Sequence, residues 1–159
     1  MKDSALQSEI EALLRGGQAH AETARILENV GAAVRHKRVM AGLPTIWELL
    51  EHLRLAQEDI VRYTFDESWV SPPWPEGYWP KKTGVVDDER WNSSRRGFLE
   101  DLEDLIAKLK DPDLDLTARI PHGGDHTYLR EFLLVADHNA YHLAQIVQQR
   151  KQLGDWRSG

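Results

Sequence analysis

Cysteine is missing from all 159 residues. That absence removes disulfides, thiolate metal clusters and a cysteine nucleophile together, and it leaves no mark of an oxidising compartment. A long apolar run is also missing. Met1-Lys2-Asp3-Ser4 leads into mixed charged and apolar residues, so neither a signal peptide nor a bilayer-spanning helix is expected. No alternating strand pattern of useful length and no repeat of fixed period occurs. Basic charge is in short supply: 20 Lys and Arg stand against 26 Asp and Glu, which disfavours capture of a phosphate backbone. The short clusters Arg35 to Arg38 and Arg95-Arg96 read as solvated faces. These absences predict a cytoplasmic protein with neither nucleic acid nor membrane as partner.

Proline is scarce outside a few clusters. The seven prolines, at positions 44, 72, 73, 75, 80, 112 and 121, leave four uninterrupted segments, about 4 to 34, 45 to 64, 87 to 110 and 127 to 153. Proline breaks a helix interior, and each segment carries apolar residues at three and four spacing, so each predicts an amphipathic helix. Ser4-Ala5-Leu6-Gln7 and Thr45-Ile46-Trp47-Glu48 fit the capping box. Asp87, Asp88 and Glu89 put negative charge at the positive end of the third helix, and Gly154 follows Leu153 where a C-terminal cap belongs. The expected fold is all-α: one domain over residues 1–159, a four-helix bundle. About twenty residues, 65–86, join the second and third helices, more than an antiparallel hairpin needs. A crossover of that length lets those two helices lie parallel in an up-down-down-up order.

The chemistry must come from His, Asp, Glu, Tyr, Ser or Lys. Asp137-His138-Asn139-Ala140-Tyr141-His142 lies inside the last helical segment. Residues i and i+4 share a helix face with Cβ atoms about 6 Å apart, so two imidazoles can converge on one ion. A third ligand is expected from a neighbouring helix. His52 suits, because it borders the stripe Leu49, Leu53, Ala56 and Ile60, as His138 and His142 border Phe132, Val135, Leu143 and Ile146. Half-buried histidines bonded to carbonyls or carboxylates give the same spacing, so spacing alone leaves both readings open.

The run Leu-Val-Ala-Asp-His-Asn-Ala-Tyr-His-Leu-Ala-Gln at 134–145 resembles the His-x-x-x-His-x-x-Gln signature of DinB-like proteins, a superfamily distinct from the DNA polymerase of that name. Thr-Ile-Trp-Glu-Leu-Leu-Glu-His-Leu-Arg at 45–54 resembles its second-helix motif, and size and helix lengths are similar over essentially the whole chain. The resemblance implies a four-helix bundle holding a divalent ion, zinc or nickel, through His52, His138 and His142, often in a homodimer. It also implies activities of the kind known in that superfamily: thiol-dependent transfer with bacillithiol or mycothiol, and isomerisation of maleylpyruvate. It fixes a site better than an activity.

Other residues have rival readings. A zinc protease needs Glu after the first histidine of the pair, and Asn139 stands there. His122 and His126 in Pro-His-Gly-Gly-Asp-His share the i, i+4 spacing in a Gly-rich loop, where a helix-entry turn or a substrate cover is expected. His20 shares a lane with Leu6, Ile10, Leu13, Gly17 and Ala24, which would turn it inward as a hydrogen-bonded histidine or a fourth ligand. Gln145 is placed to orient a ligand, while Asp59, Glu131 and Tyr63 share wheel positions beside the histidines as candidate acids, bases or ligand partners. The aromatic stretch from Trp69 to Trp79 either packs the crossover or faces substrate. The expectation is a metal-dependent enzyme acting on a small molecule by thiol-linked transfer, isomerisation or hydrolysis. The alternative is a non-catalytic metal-binding or stress-response binding protein. An open coordination position separates the first from the second.

Overall fold

The computed structural model describes residues 4–81 and 86–156, apart from the Ser4 side chain, on which the first expected cap falls. The described residues are all-α: α1 (Ser4–Arg15), a single turn α2 (Thr23–Ile26), α3 (Ile46–Phe65), α4 (Asp88–Leu109) and α5 (Tyr128–Gln152), with a 3-10 turn at Glu76–Tyr78. None of these helices is long and apolar enough to cross a membrane.

The ends of α3 to α5 have local chemical causes. Thr45 Oγ1 accepts from the Glu48 amide at 3.2 Å while Glu48 Oε2 accepts from the Thr45 amide at 2.6 Å, closing the expected capping box. Asp87 and Thr127 accept from the amides three residues on, and Gly154 takes φ +70 after α5.

The expected first helix, 4 to 34, is interrupted. Gly16 and Gly17 sit at φ +71 and +88, two successive left-handed residues that no α-helix accommodates. The apolar spacing carries on past the break because Ile26, Leu27, Val30 and Val34 are buried from turns and one helical turn. Arg150 of α5 replaces the missing helical bonding there. It is buried and donates to the carbonyls of Ile26, Glu28 and Asn29. Arg35, expected on a solvated face, is buried too: it bonds the Val30 carbonyl and Asp88 and lies over the Trp91 ring at 4.7 Å.

α3 packs on α4 and on α5, and α1 packs on the same two helices. Two apolar clusters result. One gathers Ile46, Trp47, Leu50 and Leu53 of α3 with Trp91 and Phe98 of α4 and Leu143 and Ile146 of α5. The other gathers Ile10 and Leu14 of α1 with Leu102, Leu105, Ile106 and Leu109 of α4 and Phe132 and Val135 of α5. A buried polar bridge crosses the helices: Asn139 Nδ2 donates to Gln57 Oε1 at 2.9 Å, and Gln57 Nε2 donates to the Phe98 carbonyl at 2.8 Å. This bridge also accounts for Asn139, which points inward in the place where a protease would need its base.

Candidate metal centre

His52 lies on α3, and His138 and His142 lie one turn apart on α5, the helix that packs against it. Each offers one ring nitrogen to a common point, all within 4.8 Å of one another, and no other set of three or more His, Asp or Glu among the described residues meets this way. His52 Nε2 is 3.1 Å from His138 Nε2 and 3.2 Å from His142 Nε2. Two nitrogens bonded to one tetrahedral ion at about 2.1 Å would stand roughly 3.4 Å apart, so the rings need only a slight adjustment to share one.

The opposite nitrogens decide what those contacts are. His52 Nδ1 is 2.7 Å from the Tyr78 carbonyl, which can only accept, so Nδ1 carries the proton. His142 Nδ1 likewise donates to Gln145 Oε1 at 2.9 Å. A neutral imidazole has one N–H, so Nε2 is a bare lone pair in both rings. Two lone pairs at 3.2 Å repel unless a cation lies between them. His138 Nδ1 is buried without a partner, so Nε2 is the nitrogen through which this ring meets its neighbours. The donor set therefore fits a divalent ion bound by three neutral imidazoles.

Titration favours the same neutral state. Burial pushes His138 down to about 4, helped by the charge that His142 and His52 would carry. Burial also lowers His52, opposed by the Tyr78 carbonyl, and lowers His142, opposed by Gln145.

The crossover forms one wall of this centre. The Trp79 indole stacks on His52 with ring centres 4.1 Å apart and planes 3° from parallel, and it stands perpendicular to the His142 ring with centres 6.4 Å apart. Residue 78 is held as well, since the Tyr78 hydroxyl donates to Asp59 Oδ2 at 2.8 Å and Trp69 Nε1 donates to Asp59 Oδ1 at 2.7 Å. Burial and the Asp59 carboxylate push the Tyr78 phenol up to about 12, so it remains a donor. Residues 82–85 of the crossover lie outside the described residues.

The remaining candidates fall elsewhere. His20 does not face inward: beyond the glycine break it is exposed, with Nδ1 on the Ala21 carbonyl at 2.9 Å. His122 and His126 do not converge, because His122 Nε2 meets the Tyr63 carbonyl at 2.6 Å and His126 Nδ1 meets the Tyr63 hydroxyl at 3.0 Å. Tyr63 of α3 and Glu131 of α5 face that loop instead, Glu131 pairing with Arg130 at 2.7 Å and lying 3.4 Å from His126. Gln145 stands where the sequence placed it, on a ligand candidate. The Tyr78 carbonyl was missed, as any backbone acceptor is, because side-chain identity does not encode it.

A family model of the DinB superfamily matches residues 17–146, a span that contains all three histidines. No curated protein and no solved structure matches the chain.

Proposed function

The chain belongs to the DinB superfamily, and from that premise, with three imidazole nitrogens facing one another inside the matched span, we propose that it is a divalent-metal-dependent enzyme acting on a small molecule. The observation that carries this reading is the convergence of His138 and His142 Nε2 on His52 Nε2 at 3.1 and 3.2 Å, with Nδ1 of His52 and of His142 turned to the Tyr78 carbonyl and Gln145 Oε1, an arrangement a cation stabilises. His52, His138 and His142 are the proposed ligands, with zinc or nickel as the ion. The reaction is a thiol-linked transfer, an isomerisation or a hydrolysis.

An ion held there supplies Lewis acidity that makes a thiol or a water nucleophilic near neutral pH. The chain supplies the rest. The Tyr78 carbonyl and Gln145 hold His52 and His142 in the tautomer that presents Nε2, and Trp79 keeps water from the face of His52 on which it stacks. Among the described residues no carboxylate and no fourth histidine joins the cluster, which supports an open position for substrate.

The same proposal places the protein in the cytoplasm as one domain, with a small-molecule substrate, no nucleic-acid or membrane partner, and a homodimeric assembly. It also takes the four long helices as an up-down-down-up bundle. Contacts of the start of α3 with the start of α4, and of Arg15 with Glu103 and Gln7 with Leu109, support that order.

A second reading, non-catalytic metal binding as in a stress-response binding protein, has one observation in its favour: His52 is 3 % exposed beneath Trp79, so the centre is covered on that side. Turnover separates the two. Protein loaded with zinc or nickel is to be assayed for thiol conjugation to electrophiles, for isomerisation and for ester and amide hydrolysis. The enzyme reading predicts turnover that a chelator removes, the ion restores and His138→Ala lacks. A loaded protein inert toward all three classes supports the binding reading instead.

A further inference from the structure

Asp59 lies two helical turns beyond His52 on α3, buried, with both carboxylate oxygens taken by donors from the crossover. Its partners are unusual in where they lead. Tyr78, whose hydroxyl meets Oδ2, is the residue whose backbone carbonyl accepts from His52 Nδ1, and the next residue, Trp79, is the indole stacked on the His52 ring. Trp69, whose Nε1 meets Oδ1, is held a second time by the Arg62 guanidinium 4.1 Å from its ring centre. One carboxylate thus pins two points of a segment that has no long helix of its own.

We propose that Asp59 is a positioning residue for the metal centre: by anchoring Trp69 and Tyr78 it sets the Tyr78 carbonyl and Trp79 against His52, fixing the ring's orientation and its Nδ1–H tautomer. This rests on the metal-centre reading for its consequence, ion affinity, but the positioning itself exists without an ion. Asp59 is suited to the task because its two carboxylate oxygens accept from both donors at once. Leucine in its place keeps comparable bulk and offers neither acceptor nor donor, so both anchors are lost, whereas an amide could still accept from the indole and donate to the hydroxyl oxygen. The coupling predicted is that between a ligand and the groups that orient it, on the order of 10- to 100-fold in metal affinity.

The test uses the full chain with Asp59→Leu and, as milder variants that each remove one donor and keep the backbone, Tyr78→Phe and Trp69→Phe. Two readouts apply: the His52 tautomer in metal-free protein from nitrogen-15 imidazole spectra, and cobalt(II) affinity with its visible absorption. The expected result is that Asp59→Leu raises the Nε2–H population of His52, weakens cobalt binding about 10- to 100-fold and alters the cobalt spectrum. Each single-donor variant moves the same readouts less, and adding Tyr78→Phe to Asp59→Leu costs less than the two changes separately. If Asp59→Leu fails to fold, the two milder variants decide. Unchanged tautomer and unchanged affinity in folded variants overturn the proposal. Wild-type protein that binds no cobalt while its His52 tautomer responds to Asp59 overturns the metal reading and leaves the positioning role standing.

Discussion

His138 and His142 on α5 have the same four-residue spacing as His122 and His126 in the loop before it, and the two pairs end in different chemistry. On α5 the helix turns both rings to one side, where His52 meets them. In the loop, Gly123 and Gly124 lie between the rings, and each ring spends a nitrogen on Tyr63. The difference lies in what the nitrogens have left to bind. The Tyr78 carbonyl and Gln145 occupy Nδ1 in the first site and leave Nε2 free and converging, whereas the loop pair uses its nitrogens to hold the loop against α3. Spacing is therefore a chelate signal only when a helix sets the direction and no protein group claims the inward nitrogen.

The largest effect separating the pairs comes from deleting a ligand. His52→Ala is expected to weaken zinc binding by more than about 100-fold, beyond the range for groups that merely orient ligands, while His122→Ala leaves the affinity as it was. Competition titration against a chelating dye reads both. Next comes Gln145→Leu, which removes the acceptor for His142 Nδ1. It is expected to weaken binding about 10-fold in the same titration while secondary structure is retained.

Acid is the third probe. His138 titrates near 4 in the folded chain against an ordinary value of 6.5, so between those values the unfolded chain binds a proton that the folded chain does not. Folded stability is therefore full above about pH 6.5 and falls as pH drops toward 4, by on the order of 3 kcal/mol at most. Urea unfolding of metal-free protein at several pH values measures this slope, and His138→Gln makes it shallower, with the remainder due to His52 and His142, which burial also lowers. The smallest effect belongs to the loop: Tyr63→Phe removes the hydroxyl that bonds His126 and the Gly123 carbonyl, costing about 1 kcal/mol of stability with metal affinity unchanged.

Much of this contrast was legible in the residues, and what was not has definite causes. The start of α3 followed from Thr45 and Glu48, the end of α5 from Gly154, and the histidine cluster from a helical pair and a facing partner. The first helix was overextended because apolar spacing continues through Ile26, Val30 and Val34 although Gly16 and Gly17 end the helix. Burial of those residues by turns produces the same periodicity. Arg35 and Arg150 could not be placed from charge pattern, since their partners are carbonyls of that irregular segment. Tyr63 and Glu131 share a wheel direction with the histidines, but a wheel carries no height. Tyr63 is eleven residues past His52, about 16 Å along the axis, and it serves the loop instead. Asp59 had the right direction, but Trp69 and Tyr78 come from an irregular crossover that no periodicity describes.

Metal stoichiometry tests the account most directly. Elemental analysis of wild-type protein, His138→Ala and His126→Ala, each reconstituted with zinc and passed through a desalting column, is predicted to give one ion per chain, none, and one. No ion in the wild type, or an ion retained by His138→Ala, would contradict the three-histidine centre.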